Sequence, residues 1–343
     1  MSMLENAWYD GSRWPLLLWP LEKLFISISQ RRRKQQSLRQ WVSPVPLIVV
    51  GNINVGGTGK SPLVIALIQW LRDQGYRPGV VSRGYTASPG AYPFSVTSQS
   101  SVEESGDEPL MIVQRTQVPM VIDPDRVRAC RHLLKMHNCN IIISDDGLQH
   151  YAMGRDVEIV VIDGKRGLGN GHCLPVGPLR ELPDRLQHVD MLIVNGVGGY
   201  EHEKAITMQL AVTGLVSLKD GQRHDVAMLV NAKANTEVDA EVKTRVHAVA
   251  GIGNPGRFYN TLRQAGLWPI EHSFPDHHLF QLSDITFDDA LPVIMTEKDA
   301  VKCALLPLSA PAYYLQVDAQ LPAKFSEQLM QLLQNVKESE TDG

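Results

Sequence analysis

LIVVGNINVGGTGKS, residues 47–61, passes from an apolar strand into a glycine-rich turn and ends on Gly59-Lys60-Ser61, where a helix begins. Leu63, Leu67, Trp70 and Leu71 then give that helix an apolar face at helical spacing. Such a strand–loop–helix aims the N–H groups of the glycine loop and of the helix start at one spot, where a chain of phosphates can sit. Lys60 would reach the β- and γ-phosphates, and the Ser61 hydroxyl would take a place on Mg²⁺. The full Walker pattern has glycine five residues before Gly59, and this chain has Asn54 there. The candidate nucleotide-binding stretch is Asn54, Val55, Gly56, Gly57, Thr58, Gly59, Lys60 and Ser61.

The chain around this loop has 343 residues, enough for two lobes that each bury a core. A net charge of −4 gives no support to nucleic-acid binding. Four cysteines without CxxC spacing fit a reducing compartment. Residues 14–28, WPLLLWPLEKLFISI, are mostly apolar and precede the basic run Arg31-Arg32-Arg33-Lys34. The stretch is too short to span a bilayer and is interrupted by Pro15, Pro20, Glu22 and Lys23. The basic run follows the apolar part, contrary to a signal peptide. Two readings stay open on the residues alone: a helix lying in a membrane interface with its basic cluster on anionic lipid, or a helix packed on the protein's own core.

Downstream, apolar segments alternate with helical patterns: PGVVS (78–82), VPMVID (118–123), NIIISDDG (140–147), VEIVVID (157–163) and DMLIVNG (190–196) read as strands. That alternation indicates a doubly wound parallel α/β sheet. Residues 86–105, rich in Ser, Thr, Pro and Gly, read as a surface loop, and Gly106-Asp107-Glu108-Pro109 opens a helix. The alternating segments ITMQLAV and VAMLVN suggest a β-ribbon or inter-lobe connection over 206–240. The expected organisation is therefore an N-terminal helix and basic cluster (1–40), a P-loop core (41–205), the ribbon (206–240), a smaller α/β lobe (241–335) and a frayed acidic tail (336–343).

NIIISDDG has the form of a strand that delivers carboxylates to its C-terminal end, where ligands of open parallel sheets sit, so Asp145 and Asp146 should face the nucleotide and its Mg²⁺. Gln149 and His150 follow within one turn. Transfer of phosphate to an alcohol benefits from a base, for which Asp107 and His277 are candidates. Asp276, His277 and His278 lie between Phe274 and Phe280, an unusual density of titratable groups beside aromatics. Gly251 to Gly256 formally matches GxGxxG but reads as a tight strand–helix turn, with Pro255 at the first helical position. The segment LPVGPLRE (174–181) offers Arg180 and Glu181 either as a phosphate clamp and metal-side carboxylate or as a surface ion pair.

VGNINVGGTGKSP, SRGY, GDEP, DDGLQH, LPVGPLRE, GIGNPGRF, FPDHH and TEKDAVK occur in the order found in the tetraacyldisaccharide 4′-kinase family, which this chain resembles over nearly its whole length. That family's loop also lacks the first Walker glycine. The resemblance implies a P-loop NTPase-like fold with a second, smaller α/β lobe joined by a β-ribbon. It implies transfer of the ATP γ-phosphate to the 4′-hydroxyl of an acylated glucosamine disaccharide 1-phosphate, giving lipid IVA in lipid A biosynthesis. Carried over by motif, Asp107 is the catalytic base assisted by His277, with Asp146 also catalytic. Ser61, Asp145, Asp146 and Glu181 form the Mg²⁺ side, and Arg83, Arg126, Gln149, His150 and Arg180 contact substrate. The acylated substrate implies peripheral binding at the cytoplasmic face of the bacterial inner membrane through residues 14–34. No nucleic-acid or protein partner is expected. Rival readings are a regulatory or partitioning P-loop ATPase, which would carry a signature lysine where this chain has Val55, and a kinase or ligase for a soluble small molecule, which would leave residues 14–34 without a purpose.

Overall fold

The computed structural model describes residues 3–232, 244–308 and 310–341, and the chain divides into two compact units, residues 1–210 with 319–343 and residues 211–318. In the first, α1 (Met3–Ala7), a 3₁₀ turn and α2 (Trp19–Ser37) precede β1 (Leu47–Gly51). Then follow α3 (Lys60–Asp73), β2 (Pro78–Ser82), β3 (Phe94–Val96), α4 (Val102–Ser105), α5 (Asp107–Thr116), β4 (Met120–Ile122), α6 (Arg126–Met136), β5 (Ile141–Asp145), β6 (Val157–Asp163), β7 (Met191–Asn195) and β8 (Ala205–Ser217). The strand order is β8-β7-β6-β1-β5-β2-β4-β3, parallel throughout except for β3 against β4. Strand β1 is central and wholly buried, flanked by β5 on one side and β6 on the other. Helices cover both faces of a parallel sheet, which is why its strands are continuous apolar runs. The chain crosses from β5 over β1 to β6, and that reversal of winding opens a crevice at the C-terminal end of β1.

Local signals shape the helices of this unit. In α3, Leu63, Val64, Leu67, Ile68 and Leu71 form one buried stripe on the sheet. In α6, the Asp125 side chain caps the N-terminus, accepting from Val127 N at 3.0 Å and Arg128 N at 3.1 Å. Helix α4 carries a reciprocal Ser101–Glu104 capping box.

The second unit is entered through β8 and left through β13. It contains β9 (Arg223–His224), α7 (Ala227–Ala232), β10 (Thr244–Ala250), α8 (Pro255–Gln264), β11 (Leu267–Ser273), β12 (Val293–Thr296), α9 (Glu297–Cys303) and β13 (Ala312–Gln320). Its order is β11-β10-β12-β13-β8, with β9 on β8. The GxGxxG segment is a turn between β10 and α8.

Several expectations change. Residues 86–105 are not all loop, since β3 and α4 lie within them, both too short to show periodicity. VAMLVN falls in α7 rather than in a ribbon strand, while β8 extends over 13 residues. Part of the expected ribbon, residues 233–240, and the first residues of the expected smaller lobe, 241–243, lie outside the described residues. The smaller unit ends at residue 318, not 335. The last helix, α10 (Ala323–Thr341), belongs to the first unit, where Phe325, Leu329 and Leu333 make a buried i, i+4, i+8 stripe. The acidic tail is helical as far as Thr341.

Candidate active site

Strand β1 ends where the chain must turn tightly. A Cβ on Gly51 would meet Leu148 Cβ at 2.6 Å, and one on Gly147 would meet Ser144 Oγ at 2.2 Å, so the end of β1 is pressed against the DDGLQH turn and that turn is folded tightly on the end of β5. Gly56 (φ 96°) and Gly59 (φ 90°) take the left-handed conformation that an L side chain resists. Gly57 faces open space, with nothing within 4 Å of where a Cβ would stand. The loop is held from outside. Val55 N donates to Pro178 O at 2.8 Å and Arg180 N to Ile53 O at 2.6 Å, so LPVGPLRE is the loop's own backing strand. The buried Asn54 donates through Nδ2 to Gly167 O at 2.9 Å, and Asn195, ending β7, donates to Thr58 O at 2.9 Å. Val55 thus spends its N–H inside the protein, leaving the stretch from Gly56 to Ser61 as the candidate phosphate cradle. Lys60 and Ser61 are the first two residues of α3.

At the end of β5 the two acids diverge. Asp145 is buried and accepts from Ser82 Oγ at 3.4 Å. Burial, then the charges of Glu108 and Asp146, push its carboxyl up. Asp146 has φ 50°, a left-handed conformation costing a non-glycine residue about 1 kcal/mol, and the bend sends its carboxylate out to Lys60 Nζ at 3.2 Å and Arg180 Nη1 at 3.5 Å. Burial acts to raise Asp146 as well, but Lys60 and Arg180 overcome it and hold the carboxyl well below its ordinary range.

Cations surround the pair. Arg126, first in α6 and buried, donates to Asp123 O at 2.9 Å, while its Nε has no hydrogen-bond partner among the described residues. Burial pulls it down to about 10 against the attraction of Asp146 and Asp145. Arg83 is exposed and close enough to repel both Arg126 and His150. Burial, with Arg126, brings His150 down to about 4, so it is neutral at physiological pH. Asp107 opens α5, buried, and its Oδ1 accepts from Glu108 N at 2.9 Å. A Cβ on Gly106 would meet Tyr85 O at 2.9 Å, which sets GDEP against SRGY.

Glu181 departs from its expected setting. Its oxygens accept from Gln149 Nε2 at 2.8 Å and from Tyr151 OH, with Arg185 Nε at 3.6 Å and Arg33 Nη1 at 3.9 Å. Gln149 also donates to Asn52 O at 3.1 Å, so Glu181 braces the base of the loop through Gln149. Among the described residues no three His, Cys, Asp or Glu side chains gather as a metal cluster. Tyr151 and Arg33 were not foreseen from the sequence, because a tyrosine just after DDGLQH and one arginine in a basic run carry no distinguishing pattern.

Helix α2 is inverted relative to an ordinary surface helix. Glu22 is 4% exposed and accepts from Cys173 N at 2.7 Å, with His172 Nδ1 at 3.2 Å, while Leu17 before the helix and Leu21 and Leu24 within it are 82%, 52% and 57% exposed. The reading in which this segment packs on the protein's own core holds for Phe25 and Ile26. Arg33 lies over the Tyr151 ring at 5.0 Å with its side chain still exposed. Among the described residues no helix is long and apolar enough to cross a membrane.

In the second unit, His277 (φ 61°) lies 3.4 Å from Lys298 Nζ, which donates to Asp276 Oδ1 at 3.1 Å. His278 is bonded to Asp284 at 3.0 Å and stacked on Phe274 at 4.8 Å, a packing role. Asp299, fully buried, accepts from Gly251 N at 2.9 Å and pairs with Lys302 at 2.6 Å, which fixes the TEKDAVK helix to the GIGNPG turn.

A glycine cradle at the switch point of a parallel sheet, with a lysine facing a strand-end aspartate, is the arrangement of P-loop nucleotide-dependent phosphotransferases. A family model described as Tetraacyldisaccharide-1-P 4′-kinase matches residues 14–334, and the chain belongs to that family. It is 47% identical to a tetraacyldisaccharide 4′-kinase of Pseudomonas fluorescens, over 96% of each chain, and 47% identical to one of Azotobacter vinelandii, over 94% of each. A crystal structure of LpxK from Aquifex aeolicus in complex with ATP covers 94% of this chain and 100% of its own, with a TM-score of 0.75 and 26% identity.

Proposed function

We propose that this chain is the ATP-dependent kinase that phosphorylates the 4′-hydroxyl of a tetraacyldisaccharide 1-phosphate in lipid A biosynthesis, acting as a peripheral protein on the cytoplasmic face of the inner membrane. The observation that carries the reading is the 3.2 Å contact between Lys60 and Asp146, set at the mouth of the glycine cradle where a triphosphate tail would lie. The cradle N–H groups and Lys60 bind the β- and γ-phosphates. Asp107 takes the proton of the acceptor hydroxyl, whose oxygen bonds to the γ-phosphorus as the β–γ bridging oxygen leaves with ADP. His277 assists, and Arg83, Arg126 and Arg180 hold phosphate oxygens.

The residues present fit Mg²⁺, a hard cation that takes oxygen donors. Ser61 stands at the start of α3, and Asp145 Oδ1 is buried with no hydrogen-bond partner among the described residues. Asp145 and Asp146 with Ser61 would hold the ion, which would neutralise charge on the phosphates; Glu181 supports this group through Gln149. The exposed Leu17, Trp19, Leu21 and Leu24 would enter the membrane interface and bring the site to an acylated substrate.

The test is incubation with γ-labelled ATP and the disaccharide 1-phosphate in detergent. A doubly phosphorylated, labelled product is expected. Turnover of ATP that ignores the lipid acceptor would instead indicate a regulatory ATPase.

A further inference from the structure

The turn after β6, DGKRGLGN at residues 163–170, carries two cations, Lys165 and Arg166, beside the segments that hold the glycine loop. It begins at Asp163, 2% exposed at the strand end, whose Oδ1 accepts from the backbone N–H of Lys165 and of Arg166, each at 3.0 Å. A Cβ on Gly169 would meet the Pro178 ring at 2.7 Å, so the turn is pressed on the same LPVGPLRE segment that backs the glycine loop. It is also tied to the loop directly, by Asn54 Nδ2 on Gly167 O at 2.9 Å. The residue that replaces the Walker glycine therefore fastens this turn in place.

What the turn delivers is Arg166. Its Nη1 lies 3.6 Å from where a Cβ on Gly56 would stand, and its guanidinium lies over the Tyr9 ring at 5.6 Å. Strand β6 is on the opposite side of β1 from β5, β2 and β4, the strands that lead into Asp145, Arg83 and Arg126. An arginine here reaches the cradle from the side of β1 opposite to Arg83 and Arg126.

We propose that Arg166 is a further phosphate-contacting residue, an arginine supplied by the chain itself to the nucleotide's transferring phosphate, and that Asn54 is the residue that positions it. The proposal rests on the glycine loop being the nucleotide site. A guanidinium is a planar fork of donors matched to phosphate oxygens, and its charge counts most as negative charge spreads over the non-bridging oxygens in transfer. Bond making is unchanged: the acceptor oxygen bonds to the γ-phosphorus and ADP departs, with Arg166 contacting non-bridging oxygens only.

Steady-state kinetics with lipid acceptor, and ATP and ADP affinities by fluorescent-analogue displacement, test this on the full chain. Arg166→Ala should lower kcat by about a hundredfold or more, given that arginines supplied in this way contribute about a thousand- to a hundred-thousand-fold, while ADP affinity stays within about threefold. Arg166→Lys should recover part of the loss. Asn54→Gly, which restores the Walker glycine, should lower kcat in the same direction and add little to Arg166→Ala, the non-additivity of two residues acting as one. Arg166→Gln stands in if the alanine variant does not fold. A kcat within threefold of the parent protein overturns the proposal, as does a parallel loss of ADP and ATP affinity with kcat intact. Failure of the unmodified protein to bind ATP would overturn the nucleotide-site reading itself, a separate result.

Discussion

Asp145 and Asp146 are covalent neighbours whose carboxyls are driven apart in acidity, one by burial and one by the cations at the loop. The stability consequences have opposite signs. A carboxyl raised in the folded state holds its proton above the pH at which the unfolded chain releases it, so Asp145 favours folding less as pH climbs from the ordinary carboxylate range to neutrality. Asp146, held low, contributes stability at neutral pH that is lost on acidification below that range. Asp145→Asn should therefore gain roughly 1–3 kcal/mol at pH 7, shrinking towards pH 4, while Asp146→Asn loses stability at pH 7; denaturant melts across pH measure both. A lower midpoint for Asp145→Asn at pH 7 would contradict the assignment. At the reaction, Lys60→Ala should weaken ATP binding itself. Asp107→Ala should bind ATP normally and lose transfer by about a hundredfold or more; near-normal transfer would remove it as the base.

At the scale of elements, the telling feature is α2, which buries its Glu22 and exposes its leucines. Glu22 is retained in the interior because Cys173 N would otherwise lose its acceptor, at a cost of about 1–3 kcal/mol. The outward leucines can be changed without touching that anchor. Leu17→Ser, Leu21→Ser and Leu24→Ser together should lower sedimentation with anionic vesicles at least about tenfold, with the melting temperature little changed, since each buried leucine side chain is worth about 1.5–3 kcal/mol. Unaltered sedimentation would show that this face is not the membrane contact. Hydropathy located the segment but not its orientation, because the sequence places Glu22 in the midst of apolar residues and only the docked Cys173 and His172 show which way it turns.

For the whole molecule, the proposed site residues fall in two compact units. Every nucleotide contact proposed is in the first unit and His277 is in the second. His277→Ala should therefore leave ATP affinity unchanged while reducing transfer, and His278→Ala should act mainly on stability through its Asp284 bond and Phe274 stacking. Isothermal titration with ATP beside lipid-acceptor kinetics separates the two. A large loss of ATP affinity on changing His277 would refute this division of labour.

The parallel sheet, the glycine loop and the strand-end acids were legible in the amino-acid sequence because their signals are local: apolar runs of strand length, glycines where the backbone needs positive φ, carboxylates at a strand terminus. Tertiary structure alone decided what depends on partners distant in the chain. Asn54 is understood only with Gly167, Glu181 only with Tyr151 and Gln149, Glu22 only with Cys173, and α10 joins the first unit because its apolar stripe finds a core there. A short-range pattern can specify backbone conformation, but the energy of a buried polar group is set by whichever donor the fold brings to it.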